Sequence, residues 1–583
     1  MESSTGIDRP PGCSRVAYVA KKLEEKSAAS WRSEVASGVP CITAVQDDNG
    51  AGILTKAAEK LRRGDCVLQC CAAGMAIESQ FRTSRCAYCA QPCQSGTLCS
   101  GCGIVGACER CKSSGADKWH SSSGECQALR AFVWAFSAVF GLIEEDDFAR
   151  INATDLAKEI DSSYIITVQL LFRRWLVEKP GRSSGDIDES KGDSSILVLP
   201  AIDWKLFDSL HKSKVGGEQY DLAIAAICGR MRTLLRDMNY DGDNTSSNRF
   251  VITKDAFDDV LGRVVGCGHA VVDLTLGLGS QAIGRAIFLE HSFYNHSCCP
   301  NAFISCRIGN IGASSTSTAV DSPYSCALVA SVHCLSDIER GDDVRLSYIP
   351  TSGLSRNERQ QQLQAGHNFQ CECRACSVGD ETAKEWDRCL AVPEGSDLES
   401  LREVQYRINH TFVESSDRDE IERSLGLARM VSNGVKNQGI SSSHECALEV
   451  HRLLSVGYAA LDKFDDAIGE HHAFFASVGK ISDLFDPIAL ATQHIEYALV
   501  LHKNGDSEGE RSELEAAELL AKTALGVEDP YVTAIERKIW ALRPADAAAA
   551  AAAAADADAA AAAADQIPAA KRPKMNDERS KSE

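Results

Sequence analysis

Cysteines are grouped in this chain, and the grouping constrains the fold more than any other feature of the sequence. The 583 residues include 25 cysteines, and three of these lie close together at Cys371, Cys373 and Cys376. Cysteines this near to one another cannot all pair as disulfides among themselves, but they suit one tetrahedral zinc ion. The ion needs a fourth thiolate, and Cys298, in the stretch 295–301, is the obvious donor.

A second cysteine-rich stretch lies earlier in the chain, between residues 86 and 126. It is poor in apolar side chains, so a fold there needs metal to supply the stability that hydrophobic burial cannot. The alternative is a set of reduced structural cysteines without metal. The residues of this stretch that suit two zinc ions are Cys86, Cys89, Cys99, Cys102, Cys108, Cys111, His120 and Cys126.

Composition indicates a protein of several domains in a reducing compartment. The N-terminus lacks a basic region followed by an apolar core, so we expect no secretory signal, and zinc explains the cysteines better than disulfides. Outside the alanine-rich tail no apolar run is long enough to span a membrane. The net charge of −21 disfavours binding along a nucleic acid backbone. It suits a basic peptide target, or it simply keeps a large protein soluble.

The stretch 295–301, Asn-His-Ser-Cys-Cys-Pro-Asn, precedes an acidic turn that runs into a short strand ending at Tyr348. The cysteine triplet follows downstream, and the cysteine-rich finger lies upstream. Over roughly residues 40–545 these motifs resemble the SET and MYND domain family of protein lysine methyltransferases. A RING finger is the rival zinc fold, but its histidine falls in the middle of the ligand series and not next to last.

The resemblance implies an α+β multidomain fold, in which a β-rich SET domain is split by a MYND zinc finger and a helical insert and is followed by a TPR-like α-helical C-terminal domain. Apolar residues at three-to-four spacing after Cys126 and throughout 381–542 favour the helical parts. The expected segments are a variable leader at 1–36, the SET N-terminal part at 37–80, the finger at 81–128, the helical insert at 129–270, the core SET part at 271–350, the post-SET zinc segment at 351–380, the TPR-like domain at 381–543, and a disordered alanine-rich tail with a basic cluster at 544–583.

In the finger, the resemblance implies one site made by Cys86, Cys89, Cys108 and Cys111. The other site is made by Cys99, Cys102, His120 and Cys126. The third cysteine pair is one residue shorter than is usual in the family, and five residues separate His120 from Cys126 where about three are expected. Cys93 is therefore an alternative ligand.

For catalysis, the resemblance implies S-adenosylmethionine as methyl donor and Tyr348 as the catalytic tyrosine. Asn295 and His296 match residues that hold the cofactor, and Phe369 matches the aromatic that stacks near the adenine. The glycine turn with Gly50 and Gly52 is a further cofactor contact. The cofactors expected are S-adenosylmethionine and three zinc ions, two in the finger and one held by Cys298, Cys371, Cys373 and Cys376, which closes the channel.

Three positions depart from the family pattern. His367 stands where a second channel tyrosine is usual, four residues before Cys371. Ala51 replaces a polar side chain between the glycines, and Gly268 replaces an asparagine before the core strands. These changes are expected to weaken cofactor binding, to alter the number of methyl groups added, or to leave a site that does not turn over.

The resulting hypothesis is an S-adenosylmethionine-dependent protein-lysine N-methyltransferase acting on histone or non-histone proteins. One alternative is a catalytically silent adaptor that recruits partners through the finger and the helical repeats. Another is a DNA-binding scaffold, which the acidity disfavours. The expected partners are a lysine-containing protein substrate and a proline-rich peptide at the finger, with no membrane. The basic cluster at 571–574 resembles a nuclear import signal, so we expect the nucleus and the cytoplasm.

Overall fold

The computed structural model describes most of the chain outside its ends and several loops. The residues that it describes are 15–28, 41–46, 53–93, 97–113, 115–143, 153–178, 202–237, 250–273, 281–308 and 328–542.

The strands form small sheets in the middle of the chain. They are β1 (Ile42–Gln46), β2 (Ile53–Ala57), β3 (Cys66–Cys71), β4 (Gly74–Ile77), β5 (Gly268–Asp273), β6 (Gln281–Ile287), β7 (Asn295–His296), β8 (Ala302–Ile308), β9 (Leu328–Cys334) and β10 (Arg345–Leu346). The sheet orders are β1-β2, β10-β7, β3-β9-β8 and β4-β6-β5. Only the β10-β7 pair is parallel among these.

Helices fill most of the rest of the described chain. Up to the last strand they are α1 (Arg15–Ala28), α2 (Glu109–Ser113), α3 (Ala116–Ser123), α4 (Glu125–Val139), α5 (Ala153–Ala157), α6 (Ser162–Glu178), α7 (Trp204–Asp208), α8 (Glu218–Asp237) and α9 (Lys254–Cys267). After it they are α10 (Arg356–His367), α11 (Glu381–Cys389), α12 (Leu398–Glu414), α13 (Arg418–Asn437), α14 (Glu445–Ala460), α15 (Phe464–Val478), α16 (Pro487–Asn504), α17 (Ser507–Leu525) and α18 (Pro530–Ala541). None of the described helices is long and apolar enough to cross a membrane.

The main core joins the sheets to the helices of the insert. Strand β9 is buried at every position, because it lies between β3 and β8 and is covered on both faces. In the insert, the rings of Phe132 on α4 and Phe257 on α9 stack at 6.0 Å between centroids. Within the leader, α1 packs on this core through Val19 and Leu23, which are fully buried.

Helices α14 to α17 form two hairpins with matching features. His451 on α14 contacts Glu470 on α15 at 2.6 Å, and His494 on α16 contacts Glu513 on α17 at 2.6 Å, each pair 19 residues apart. The turn of the first hairpin contains Asp462 at φ 61°, and the turn of the second contains Gly505 at φ 81°. The two hairpins thus share the same type of cross-helix contact and a left-handed residue in the turn.

Candidate active site and metal centres

The first finger cluster consists of the thiols of Cys86, Cys89, Cys108 and Cys111. All four residues are buried, and their sulfur atoms lie within 4.8 Å of one another. The Cys89 sulfur is 3.7 Å from that of Cys108 and 3.5 Å from that of Cys111. Cys93 lies outside this group, with its thiol 3.9 Å from the Gln91 carbonyl.

The second finger cluster consists of Cys99, Cys102, His120 and Cys126, whose ligand atoms also lie within 4.8 Å of one another. The Cys99 and Cys126 sulfurs are 3.5 Å apart, and the Nε2 atom of His120 is 3.5 Å from the Cys102 sulfur. The long interval between His120 and Cys126 is taken up by the end of α3, by Gly124 at φ 94°, and by the start of α4. The structure therefore groups the eight residues as the resemblance implied.

Glu125 is a residue of the finger that the sequence analysis missed. Its Oε2 atom lies 2.8 Å from the Nδ1 atom of His120, and both side chains are buried. A carboxylate in this place holds an imidazole with its other nitrogen turned toward a metal and makes that nitrogen a better ligand. The only sequence signal for this role was its position directly before the ligand Cys126.

The downstream thiol cluster consists of Cys298, Cys371, Cys373 and Cys376, all buried and with sulfur atoms within 4.8 Å of one another. The Cys298 and Cys376 sulfurs are 3.6 Å apart, and the Cys298 backbone N–H donates to the Cys373 sulfur at 3.4 Å. Four thiols, or three thiols and an imidazole, are the ligand sets of tetrahedral zinc. Each of the three clusters could therefore hold one zinc ion.

Arg359 on α10 supports the downstream thiol cluster and was also missed from the sequence. It is fully buried. Its guanidinium donates to the carbonyls of Leu354 at 2.6 Å and Ala375 at 3.0 Å, and its Nη2 atom lies 4.0 Å from the Cys376 sulfur. A positive charge in this place offsets the negative charge of buried thiolates.

His296 connects the downstream thiol cluster to Tyr348. Its Nδ1 atom accepts a hydrogen bond from the Tyr348 backbone N–H at 3.0 Å, and its Nε2 atom lies 3.3 Å from the Cys298 sulfur. Burial lowers the pKa of His296 to about 4, so the ring is neutral near pH 7. Because Nδ1 accepts, the single ring proton is on Nε2 and points at the Cys298 sulfur.

The turn between His296 and β8 is pinned to the last strand. Asn301 donates to the Asp343 carbonyl at 2.8 Å and accepts from the Arg345 backbone N–H at 2.8 Å. Asn295 is half-buried, and its side-chain amide donates to the carbonyl of Ile53 at 3.2 Å. Ile53 begins β2, directly after the glycine turn, while Gly50, Ala51 and Gly52 themselves lie outside the described residues.

Aromatic rings surround Tyr348 at the end of its strand. Its ring centroid lies 5.4 Å from that of His296, 5.0 Å from that of His367 and 6.3 Å from that of Phe369. The Tyr348 hydroxyl donates a hydrogen bond to the carbonyl oxygen of Tyr294. Burial raises the pKa of Tyr348 above its ordinary range, so the hydroxyl keeps its proton. The structure thus brings together Tyr348, His296, Phe369 and the departure His367.

The departure at Gly268 has a steric explanation. A Cβ atom at this position would overlap the carbonyl oxygen of Val264 and would lie 3.1 Å from the Cδ atom of Arg285. Gly268 and Arg285 belong to the paired strands β5 and β6. An asparagine side chain does not fit here unless the Val264 carbonyl shifts and the Arg285 side chain gives way.

Curated relatives of the chain are lysine methyltransferases, while no protein-family model matches it. "Histone-lysine N-methyltransferase ATXR4" of Arabidopsis thaliana is 28% identical over 165 residues, 26% of this chain and 44% of that protein. "Protein-lysine N-methyltransferase SMYD4" of Mus musculus is 25% identical over 208 residues, 33% of this chain and 23% of that protein. "N-lysine methyltransferase SMYD2" of Mus musculus is 32% identical over 133 residues, 22% of this chain and 25% of that protein.

The chain spans less than half the length of each of these relatives. A solved structure, "Crystal structure of the SET domain of LSMT bound to Lysine and AdoHcy", aligns with 81% of this chain and 92% of that chain at 11% identity, with a TM-score of 0.28, which is too low to bear on fold or function. The sequence relatives confirm that this chain is similar to the SET and MYND family of protein lysine methyltransferases.

Proposed function

We propose that this protein is an S-adenosylmethionine-dependent protein-lysine N-methyltransferase with three structural zinc ions. The observation that carries the proposal is the position of His296, which links the backbone of Tyr348 to the sulfur of Cys298. One connected set of contacts thus joins the proposed catalytic tyrosine to the proposed downstream zinc. The similarity to named lysine methyltransferases supports the same reaction.

The side chains around Tyr348 suit the proposed methyl donor. S-adenosylmethionine supplies a methyl group on a positively charged sulfur. The carbonyl of Tyr294 and the hydroxyl of Tyr348 present oxygen atoms that suit the positively charged sulfur. The aromatic faces of His296 and Phe369 suit both this cation and the adenine ring. Asn295, beside the start of β2, and the glycine turn with Gly50 and Gly52 complete the proposed cofactor contacts.

The residues of the chain contribute mainly position and electrostatics in this proposal. Tyr348 keeps its proton, and its hydroxyl is oriented by the Tyr294 carbonyl, so its oxygen lone pairs are fixed in direction. Positioning of this kind turns an encounter of two reactants into a reaction within one complex. The downstream zinc ties the segment 371–376 to the turn at Cys298, beside the ring of Phe369.

Label transfer from S-adenosylmethionine tests the proposal. The full chain is incubated with labelled donor and a panel of histone and non-histone proteins, and Tyr348→Phe is compared with the wild type. Tyr406→Phe is the matched control, because Tyr406 is 70% exposed on α12. We expect transfer by the wild type and the control and a large loss in Tyr348→Phe. If no label is transferred, or if Tyr348→Phe transfers as much label as the wild type, the proposal is refuted and the adaptor is favoured.

Three subsidiary proposals concern partners, organisation and location. The finger binds a proline-rich peptide, and α11 to α18 form a TPR-like domain that narrows the substrate cleft. The domain limits are those expected from the sequence. The cluster at 571–574, which lies outside the described residues, directs part of the protein to the nucleus. Titration of the full chain with proline-rich peptides tests the proposed binding at the finger. Microscopy of a variant without the basic cluster tests the proposed nuclear location.

A further inference from the structure

The rings near Tyr348 include a histidine with no established role. His367 ends α10, and its centroid lies 5.0 Å from that of Tyr348 and 6.4 Å from that of Phe369. Among the described residues, no hydrogen-bond partner of the His367 ring is found. The imidazole is half-buried and packs on the tyrosine proposed to lie at the transferring methyl group.

A lysine must lose a proton before its nitrogen can attack a methyl group. Because the ordinary pKa of lysine is about 10.4, only about one free side chain in 2500 is uncharged near neutral pH. Burial and positively charged neighbours lower this pKa. A group that accepts the proton inside the site gives a further acceleration.

Most titratable groups near Tyr348 cannot be that acceptor. Tyr348 keeps its own proton, which it donates to the Tyr294 carbonyl. Both ring nitrogens of His296 are engaged, by the Tyr348 backbone and by Cys298. The ring of His291 is buried against the Cys70 sulfur at 2.8 Å. His269 packs on Phe288, and its Nε2 atom is enclosed by protein.

The surroundings keep His367 neutral. Burial lowers the pKa of His367 below its ordinary value, and the neighbouring His211 and Arg285 lower it further. Similar groups act on His269 on β5: burial, Arg285 and His367 together lower its pKa to about 4. Arg285 forms no ion pair with any described carboxylate. Gly268 leaves room for the aliphatic part of its side chain.

We propose that His367 takes the proton from the target lysine before methyl transfer. This inference rests on the proposed methyltransferase function. The ammonium gives its proton to a ring nitrogen of His367. The freed lone pair then forms the N–C bond to the donor's methyl group while the C–S bond breaks, and its electron pair stays on the sulfur, which becomes a neutral thioether. The imidazolium returns its proton to water.

The pH dependence of methyl transfer tests the inference in the full chain. His367→Gln is expected to lower kcat by about tenfold or more at about pH 7, and to come within about threefold of the wild type at about pH 9.5, where about a tenth of free lysine is already uncharged. His410→Gln is the matched control, because His410 is exposed on α12 and contacts only Glu414 among its described ion-pair partners. It should follow the wild type at both values.

A second measurement needs no turnover. In protein labelled at histidine Cε1, the resonance lost in His367→Gln reports the pKa of His367, which we expect below the ordinary value of 6.5. Arg285→Gln should raise that pKa, while Arg285→Lys, which keeps the charge, should not.

The outcomes separate the two proposals. An equal loss in His367→Gln at both pH values, or no loss at about pH 7, overturns the role of His367 and leaves the methyltransferase proposal intact. A His367 pKa at or above its ordinary value does the same. Absence of transfer by the wild type on every protein of the panel overturns both proposals.

Discussion

Replacing Arg359 by methionine is expected to weaken the hold of the downstream thiol cluster on its metal. The guanidinium is fully buried and donates to two carbonyls that flank the cluster, those of Leu354 and Ala375. It also lies 4.0 Å from the sulfur of Cys376. Methionine is similarly long, so it fills much of the space but supplies neither donors nor charge.

The magnitude follows from the groups that lose a partner. A buried carbonyl left without its donor costs about 1–3 kcal/mol, so the two together cost about 2–6 kcal/mol. Four thiolates outweigh the charge of one Zn²⁺, so the loss of a neighbouring cation adds to this cost. Since about 1.4 kcal/mol corresponds to a tenfold change in an equilibrium constant, the zinc dissociation constant should rise at least about twentyfold.

Competition with a chromophoric chelator measures the effect. Full-length wild type and Arg359→Met are titrated, and the zinc released at each chelator concentration is counted. Arg407→Met is the control, because Arg407 is exposed and bonds only to Glu403 on its own helix among its described partners. If Arg359→Met holds all its zinc as tightly as the wild type, the reasoning about charge and buried carbonyls is wrong.

Three further predictions follow from single contacts. Glu125→Ala removes the carboxylate that holds the finger histidine, and should weaken zinc binding at the second finger cluster by about 10–100-fold in the same competition assay. Burial raises the pKa of Glu496 from 4.5 to about 7, so the stability associated with this group is full below about pH 4.5 and is lost as the pH rises through 7. Calorimetry should therefore show a higher Tm for Glu496→Gln than for wild type at about pH 8, and a smaller gain at about pH 6. A Cβ at Gly457 would lie 2.8 Å from a ring atom of Phe412, so Gly457→Ala should destabilise by about 1–3 kcal/mol. A Cβ at Gly434 would meet only Leu401, at an ordinary van der Waals distance of 3.8 Å, so Gly434→Ala should stabilise by about 0.4–1 kcal/mol in thermal unfolding.

The elements that the sequence predicted best are those with strong local periodicity. The apolar spacing after Cys126 predicted the helix seen as α4, and the pattern at residues 513–525 lies within α17. The apolar residues near Val271 were expected in a strand and lie in β5. In each of these segments the apolar face packs on a neighbouring element, so local pattern and tertiary contact agree.

Cysteine spacing carried most of the information about the candidate metal centres. It identified the residues of all three clusters, although Cys298 lies more than seventy positions before its partners. The same spacing left Cys93 open as a ligand, because the loop path that excludes it depends on the three-dimensional fold. Only the structure resolved that choice.

The supporting residues could not be found from the sequence. Arg359 lies in a strongly polar helix, where an arginine is usually solvent-exposed, and its burial depends on the packing of residues 371–376 against α10. The hydrogen bond from the Tyr348 backbone to His296 joins positions 52 apart. Contacts of this kind depend on which distant segments the fold brings together, and the local residue pattern does not reveal this.

Zinc content per molecule tests most directly whether Cys298 and the cysteines at 371–376 share one ion. Elemental analysis of the purified full chain should give three zinc ions, one for each cluster, and Cys298→Ser should retain the two of the finger. The account would be contradicted if the wild type held zinc only in the finger. It would also be contradicted if Cys298→Ser kept all three ions in the presence of a chelator.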